Sequence, residues 1–174
     1  RKVTMLGGAG NVVRNLAGLG AQVNFISVIG KDPEGSEIKR LIREEGLVDM
    51  LLVDNGARQT SVKTRYLADG QQVLRTDHET IFTLSHNIEE KLIAKAVKAM
   101  KSCDAVILSD YAKGVLTDKT IVELIRAAKV ESKVVIVDPK GIDYGRYRGA
   151  DIITPNRREL FEATGMPTDS DEEV

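Results

Sequence analysis

Four polar stretches of this chain carry residue types suited to an oxygen-rich ligand. The first is Gly7-Gly8-Ala9-Gly10-Asn11. Glycines let a backbone come close to a ligand, and the N-terminus of a following helix offers N–H groups to oxygen. Asn11 can both donate to and accept from a sugar hydroxyl. A glycine-rich turn before a core helix is the plainer alternative. A dinucleotide site is a poorer match, because Val13 stands where a G-x-G-x-x-G pattern needs its last glycine.

The other three stretches each follow an apolar run. They are Ser109-Asp110-Tyr111-Ala112-Lys113-Gly114, Asp138-Pro139-Lys140-Gly141 and Thr154-Pro155-Asn156-Arg157-Arg158-Glu159. In open α/β sheets, ligands bind beyond the carboxyl ends of strands. Lys113 can hold a phosphate as a point charge, and Asp110 can take a sugar hydroxyl. Asn156 and Glu159 are spaced to share a helix face. A carboxylate beside an amide can hold a hydrated magnesium ion near a triphosphate. Taken singly, each stretch also reads as a polar loop or a solvated first turn. Three of them at successive strand ends are harder to treat as accident.

Lys63, Arg65, Arg75 and Asp77 fall in strand-like segments. A spacing of two puts Lys63 and Arg65 on one face, which is then basic and suits an anionic substrate; a solvated sheet face is the alternative. His78 and His86 lie in separate polar contexts and read as surface residues. Cys103 is the only cysteine, which excludes an internal disulfide and a cysteine-based metal site and fits a reducing cytosol.

The elements that must position these residues follow from periodicity. Val12, Val13, Leu16 and Leu19 predict a helix from Gly10 to Leu19. Residues 23–29 predict a core strand ending at Gly30. Asp32-Pro33-Glu34 opens a helix to about Glu45, closed by Gly46. Met50 to Val53, Ser61 to Leu67 and Gln72 to Thr76 read as strands with no helix between them, so antiparallel pairing is expected, with Asp69-Gly70 as a hairpin turn. Helix and strand then alternate. Helices are expected at 88–100, capped by Asn87, and from Thr117 or Asp118 to Lys129. Strands are expected at 104–109, 133–137 and 150–153, and Pro155 is expected in the first turn of a last helix. This is an α/β pattern: a parallel sheet with helices on both faces, plus a small antiparallel β insert over about residues 47–77.

The chain has 174 residues and a formal net charge of −1, so bulk electrostatics point to neither nucleic acid nor a membrane surface. It lacks Trp, which weakens base stacking. No apolar run is long enough to span a bilayer. The first residue is Arg, and Thr168 to Val174 reads as a helix start, so a fragment of a longer protein is expected.

From residue 5 onward the chain resembles the PfkB/ribokinase family. Gly7-Gly8-Ala9-Gly10-Asn11 is similar to that family's first signature, and Thr154 to Glu159 to its Asn-x-x-Glu element. The combination of Ser109 to Gly114, Asp138 to Gly141, Arg146-Tyr147-Arg148-Gly149-Ala150 and Thr154 to Asn156 resembles the members that phosphorylate D-glycero-β-D-manno-heptose 7-phosphate. Gln71 to Asp77 is similar to their lid hairpin.

The resemblance implies a ribokinase-like fold and transfer from ATP, with Mg2+, to the anomeric hydroxyl of the sugar. The heptose 1,7-bisphosphate so formed would feed ADP-heptose and lipopolysaccharide core synthesis. It implies Gly7, Gly8, Asn11, Lys63, Arg75, Asp110 and Lys113 on the substrate side. Asn156, Glu159, Asp138 and Lys140 fall on the nucleotide side, with Asn156 and Glu159 toward the metal through water. A cytoplasmic homodimer joined through the β lid and a fused adenylyltransferase are also implied. The family's Gly-Ala-Gly-Asp motif, with its anion hole and catalytic base, does not occur in the chain, so the base is expected beyond Val174 and these residues alone are expected to be inactive. Another sugar or nucleoside kinase of the same family, and a non-catalytic module that binds sugar phosphate or dimerises, remain as alternatives.

Overall fold

A computed structural model describes residues 2–49, 51–54, 56 and 58–174. The chain divides into two compact units, residues 1–82 and 83–174.

In the first unit, helix α1 (Ala9–Gly18) follows the glycine run, and two short strands come next, β1 (Asn24–Phe25) and β2 (Val28–Gly30). Helix α2 (Pro33–Glu44) begins where the sequence indicates, with Asp32 capping Gly35 N–H and Pro33 in the first helical position. Its apolar face is Ile38, Leu41 and Ile42, and Leu6, Ile29 and Leu51 complete the core there. The chain then returns through β3 (Val48–Asp49) and β4 (Leu52–Asp54). These pair parallel with β1 and β2 respectively. The antiparallel pairing expected of 50–53 is therefore corrected. Helix α2 carries the chain back over the sheet, so β4 enters in the same direction as β2. Met50 lies outside the described residues. The single strand expected at 23–29 is likewise two pieces, interrupted at Ile26-Ser27.

The remaining strands of this unit, β5 (Val62–Ala68) and β6 (Gln71–His78), form the expected antiparallel hairpin. Its turn holds Asp69 at φ 49° and Gly70 at φ 79°, the left-handed pair that an Asp-Gly turn supplies.

The second unit is an α/β layer. Helix α3 (His86–Met100) leads to β7 (Ala105–Ser109). Helix α4 (Asp118–Val130) leads to β8 (Val134–Asp138), and a one-turn 3-10 helix (Tyr144–Tyr147) leads to β9 (Ile152–Ile153). The three strands are parallel in the order β7-β8-β9. Leu108, Val135 and Val137 of the strands are buried, as are Leu92 and Met100 of α3 and Ile121, Leu124 and Ala128 of α4. Thr117 caps α4 through Thr120 N–H at 3.0 Å. Two expected caps shift. Ser85, not Asn87, precedes α3. The last helix, α5 (Arg157–Thr164), starts after Asn156, so Pro155 stands before the cap. An Asn side chain satisfies a helix-end N–H that proline cannot. After α5, residues 171–173 form a turn in which Glu173 accepts from Ser170 N–H at 3.1 Å and donates its own N–H to Ser170 Oγ at 3.3 Å.

Candidate active site

Parallel register decides which predicted residues meet in the second unit. Ser109 pairs with Asp138, and Val137 with Ile153. The stretches after β7, β8 and β9 therefore leave the same edge of the sheet side by side. Backbone bonds lock the edge: Asp110 N–H donates to Asp138 C=O and Thr154 N–H to Val137 C=O, both at 2.9 Å. Positive φ at Ala112, Gly114 and Gly141 turns the first two loops away from their strands.

Asp110 is buried, with 4% of its surface exposed. One carboxylate oxygen accepts from Ala112 N–H at 2.8 Å and the other from the Tyr147 hydroxyl at 2.7 Å. The Arg146 guanidinium lies 3.5 Å from the second oxygen and also pairs with Asp118. Tyr147, 1% exposed, accepts in turn from Lys140 N–H at 3.1 Å. Burial pushes its phenol up to about 12, so it stays protonated and remains a donor. Tyr147 thus joins the loop after β7 to the loop after β8. Periodicity did not mark it, because an aromatic in a polar segment gives no sign of a buried hydroxyl, although the stretch Arg146 to Ala150 carries part of the family resemblance. Asp110, expected on the substrate, is turned inward and holds these loops. Lys113, in the same loop, is half-buried.

Beyond β8, Asp138 and Glu159 are neighbours with opposite tendencies. Burial, followed by the negative charge of Glu159, raises the Asp138 carboxyl above its ordinary value. Ser109 Oγ donates to it at 3.4 Å. The hydrogen bond from Lys140, 2.8 Å away, holds Glu159 below its ordinary value and raises the lysine. Asn156 and Glu159 form a capping box, Asn156 Oδ1 accepting from Glu159 N–H at 2.9 Å and Glu159 Oε2 from Asn156 N–H at 3.1 Å. They therefore do not share a helix face, because Asn156 sits before the first turn. Every oxygen of the pair has a protein donor. The residues fit the water shell of a magnesium ion through their remaining lone pairs and leave no open carboxylate for direct ligation. Among the described residues, the donor atoms of His86, Glu89 and Glu90 do lie within 4.8 Å of one another, but Lys119 already pairs with both glutamates.

The first unit holds the rest. Gly8 stands before α1 at φ 52°, a conformation that suits glycine, and Gly7, Gly8 and Asn11 are exposed. Gly10 is buried, where an added Cβ would sit 3.0 Å from Leu6. Lys63, Arg65, Arg75 and Asp77 do share one hairpin face, with Lys63 opposite Asp77 and Arg65 opposite Arg75. Lys63 pairs with Asp77 and Glu79, and Arg75 Nε lies 3.1 Å from Asp77.

At the foot of the hairpin is a clamp that sequence reasoning took for a helix cap alone. Asp32 accepts from Gly35 N–H and Thr60 N–H, both at 2.7 Å, and Thr60 Oγ1 accepts from Gly30 N–H at 3.0 Å. Burial disfavours the Asp32 carboxylate, but the bonds from Thr60 and Gly35 outweigh it and hold its pKa low. Arg58 donates to Phe82 C=O at 2.6 Å and Gln59 N–H to Thr80 Oγ1 at 3.3 Å, so both ends of the hairpin are tied down. The compact pattern Gly30-x-Asp32-x-x-Gly35 was the available signal.

An open parallel sheet with acids, lysines and an amide cap at its strand ends is the setting of a phosphate-handling α/β enzyme. The chain belongs to the pfkB family of carbohydrate kinases, whose pattern matches residues 2–174. It is 49% identical over 174 residues to the bifunctional protein HldE of Paramagnetospirillum magneticum, covering 100% of this chain and 36% of that protein. It is 48% identical to the HldE protein of Rhodospirillum rubrum, covering 98% of this chain and 34% of that one. The chain therefore spans about a third of the length of these curated relatives. Its ribokinase-like fold is shared with phosphofructokinase-2 from Escherichia coli, at TM-score 0.74 and 18% identity over 97% of this chain and 55% of that chain. Ribokinase from Arabidopsis thaliana, complexed with ribose and ATP, matches at TM-score 0.69 and 23% identity over 96% of this chain and 54% of that chain. Among the described residues no helix is long and apolar enough to cross a membrane.

Proposed function

We propose that these residues belong to a kinase that transfers the γ-phosphoryl group of ATP to the anomeric hydroxyl of D-glycero-β-D-manno-heptose 7-phosphate. The product would be heptose 1,7-bisphosphate, a precursor for ADP-heptose and lipopolysaccharide core synthesis. The observation that carries the reading is the set of three polar loops on adjacent parallel strand ends, in a chain 49% identical to an HldE protein.

The chain's own residues would divide the work. Gly7, Gly8 and Asn11 would offer backbone and amide groups to the sugar hydroxyls. Lys63, Arg75 and Lys113 would each serve the substrate's phosphate or one of its hydroxyls. Lys140 and Asp138 would face the nucleotide phosphates, with Asn156 and Glu159 oriented toward the water shell of Mg2+. That ion, when bound, would supply charge neutralisation at the phosphate tail. Asp110 is reassigned from substrate contact to positioning, since its oxygens are taken by Tyr147 and Ala112. The hairpin, residues 62–78 at the end of the insert expected over about 47–77, would act as a lid, excluding water, and would join two copies into a homodimer. A fused adenylyltransferase and a cytoplasmic location belong to the same proposal.

Coupled ATP turnover tests it, using heptose 7-phosphate, fructose 6-phosphate, ribose and adenosine. The 174 residues are compared with a chain of the relatives' full length. The expected result is turnover of heptose 7-phosphate by the long form and little by the short one. A preference for an unphosphorylated sugar or nucleoside would overturn the substrate, and near-equal activity of the two forms would overturn the expected inactivity.

A further inference from the structure

We propose that Arg146 is a positioning residue: its guanidinium staples the two ends of the loop after β7 and so fixes where Lys113 stands. The ligand of Lys113 rests on the sugar-phosphate kinase reading; the staple itself does not.

Local backbone is the first observation. From Asp110 to Thr117 the chain is neither helix nor strand. Within that loop Ala112 and Gly114 take left-handed backbone, at φ 52° and 78°. Glycine accepts the conformation readily, but alanine holds it only where its surroundings over-determine it. Ala112 N–H donates to Asp110 Oδ1 at 2.8 Å, which closes a tight turn at the start of the loop. The turn lasts only while the Asp110 carboxylate stays in place.

The reach of one side chain is the second observation. Arg146 comes from the 3-10 helix after β8. Its Nη1 lies 3.5 Å from Asp110 Oδ2, at the start of the loop. Its Nη2 donates to Leu116 C=O at 3.1 Å and lies 2.9 Å from Asp118 Oδ1, at the end. Its Cζ sits 5.5 Å from the centre of the Tyr147 ring, whose hydroxyl holds the same Asp110 oxygen. Past Leu116, Thr117 donates its hydroxyl to the buried Glu89 of α3, so the far end of the loop is anchored. Lys113 lies between the two tied ends.

The chemistry of the side chain follows. Guanidinium is a rigid planar fork with donors on both prongs, whereas an ammonium is a point charge on a flexible stem. A lysine in this place could neutralise Asp110 or meet Leu116 C=O, but one compact head cannot hold both ends of the loop at a fixed spacing. The Arg146 side chain is 24% exposed, so water screens its contacts less than those of a surface pair. Lys113 is then presented on a fixed frame, and its contact with a sugar phosphate would be equally strong in the ground and transition states. Losing such a contact raises KM and leaves kcat alone.

The test has two arms, both in a chain of the relatives' full length. Hydrogen exchange at the Ala112 amide needs no activity. Arg146→Gln is expected to speed it about tenfold and Arg146→Lys about threefold. Arg126→Gln, which removes an exposed arginine of α4 paired with Glu123, is expected to leave it unchanged. In the kinetic arm Arg146→Gln is expected to raise KM for heptose 7-phosphate about fivefold, with kcat and the KM for ATP within about twofold. Arg146→Lys keeps a charge beside Asp110, and with it the fold, yet is expected to recover less than about half of that rise. Unchanged exchange at Ala112 overturns the staple. So does full recovery by Arg146→Lys, which would make Arg146 a charge partner alone. An unchanged KM for heptose 7-phosphate overturns the placement of Lys113, and equal rises in both KM values, the mark of a general loosening, do the same. If the wild-type chain turns over no phosphorylated sugar, the kinase reading falls, while faster Ala112 exchange in Arg146→Gln leaves the staple standing.

Discussion

The strand-end loops of the second unit and the hairpin face of the first both gather acids and bases, yet they hold them in different ways. At the strand ends Asp110 is buried and Glu159 half-buried, and each carboxylate takes one backbone donor, Ala112 N–H or Asn156 N–H, beside one side-chain donor, Tyr147 or Lys140. On the hairpin the same kinds of charge pair side chain to side chain in solvent, with Lys63 and Asp77 42% and 30% exposed. Low local dielectric makes the first network strong when complete and costly when one partner is lost. Water screens the second, so its pairs can be exchanged for a ligand at little cost. The first arrangement suits a fixed platform and the second a surface that adapts to what it meets.

The largest break should come from the clamp that anchors the hairpin. A Cβ on Gly30 would lie 2.6 Å from Arg58 O and 2.4 Å from the Asp32 carboxylate. Gly30→Ala is expected to cost about 2–3 kcal/mol by chemical denaturation, because backbone must move to admit it. A wild-type midpoint would show that the clamp is loose.

Tyr147→Phe comes next. It leaves the buried Asp110 without one donor and is expected to cost about 2 kcal/mol, as for an unsatisfied charged acceptor. A loss below about 0.5 kcal/mol would place the platform on the same footing as an exposed pair. Asn156→Ala removes half of the capping box at α5 and should lower stability by about 1 kcal/mol.

The pH response of the platform divides by sign. Glu159 has a folded value held below the ordinary 4.5, chiefly by Lys140, so its contribution is present above that value and is lost as pH falls through the depressed one. Asp138 has a folded value raised above 3.8 by burial and by Glu159, so its ionisation opposes folding near neutral pH. Asp138→Asn is expected to raise the melting temperature at pH 7, with the gain vanishing as pH approaches the ordinary carboxylate value. A stabilising effect that persists unchanged in acid would show the gain to be packing. Lys63→Gln should have the smallest effect, within about 0.5 kcal/mol and weaker in high salt.

The order of helices and strands in the second unit was legible because apolar runs and caps are local signals: Thr117 and the valines of β8 announce themselves. So was the Asp69-Gly70 turn, whose left-handed backbone limits the residues it accepts. The partner of β4 was not legible. A three-residue strand carries no mark of direction, and only the crossover through α2 set it beside β2. The Asn156/Glu159 spacing suggested two residues side by side on one helix face, whereas backbone geometry sets Asn156 before the first turn and makes the two a capping box.

Residue types and short spacings, then, were enough to fix the α/β pattern, the hairpin and the stretches that carry ligand chemistry. Tertiary structure decided which charges were already spoken for. It turned Asp110 inward onto Tyr147, bound Lys63 to two acids and left Arg65 opposite Arg75. The reason is physical: a side chain's type sets what it can bind, but its neighbours across a fold, residues or tens of residues away in sequence, set whether that capacity remains available.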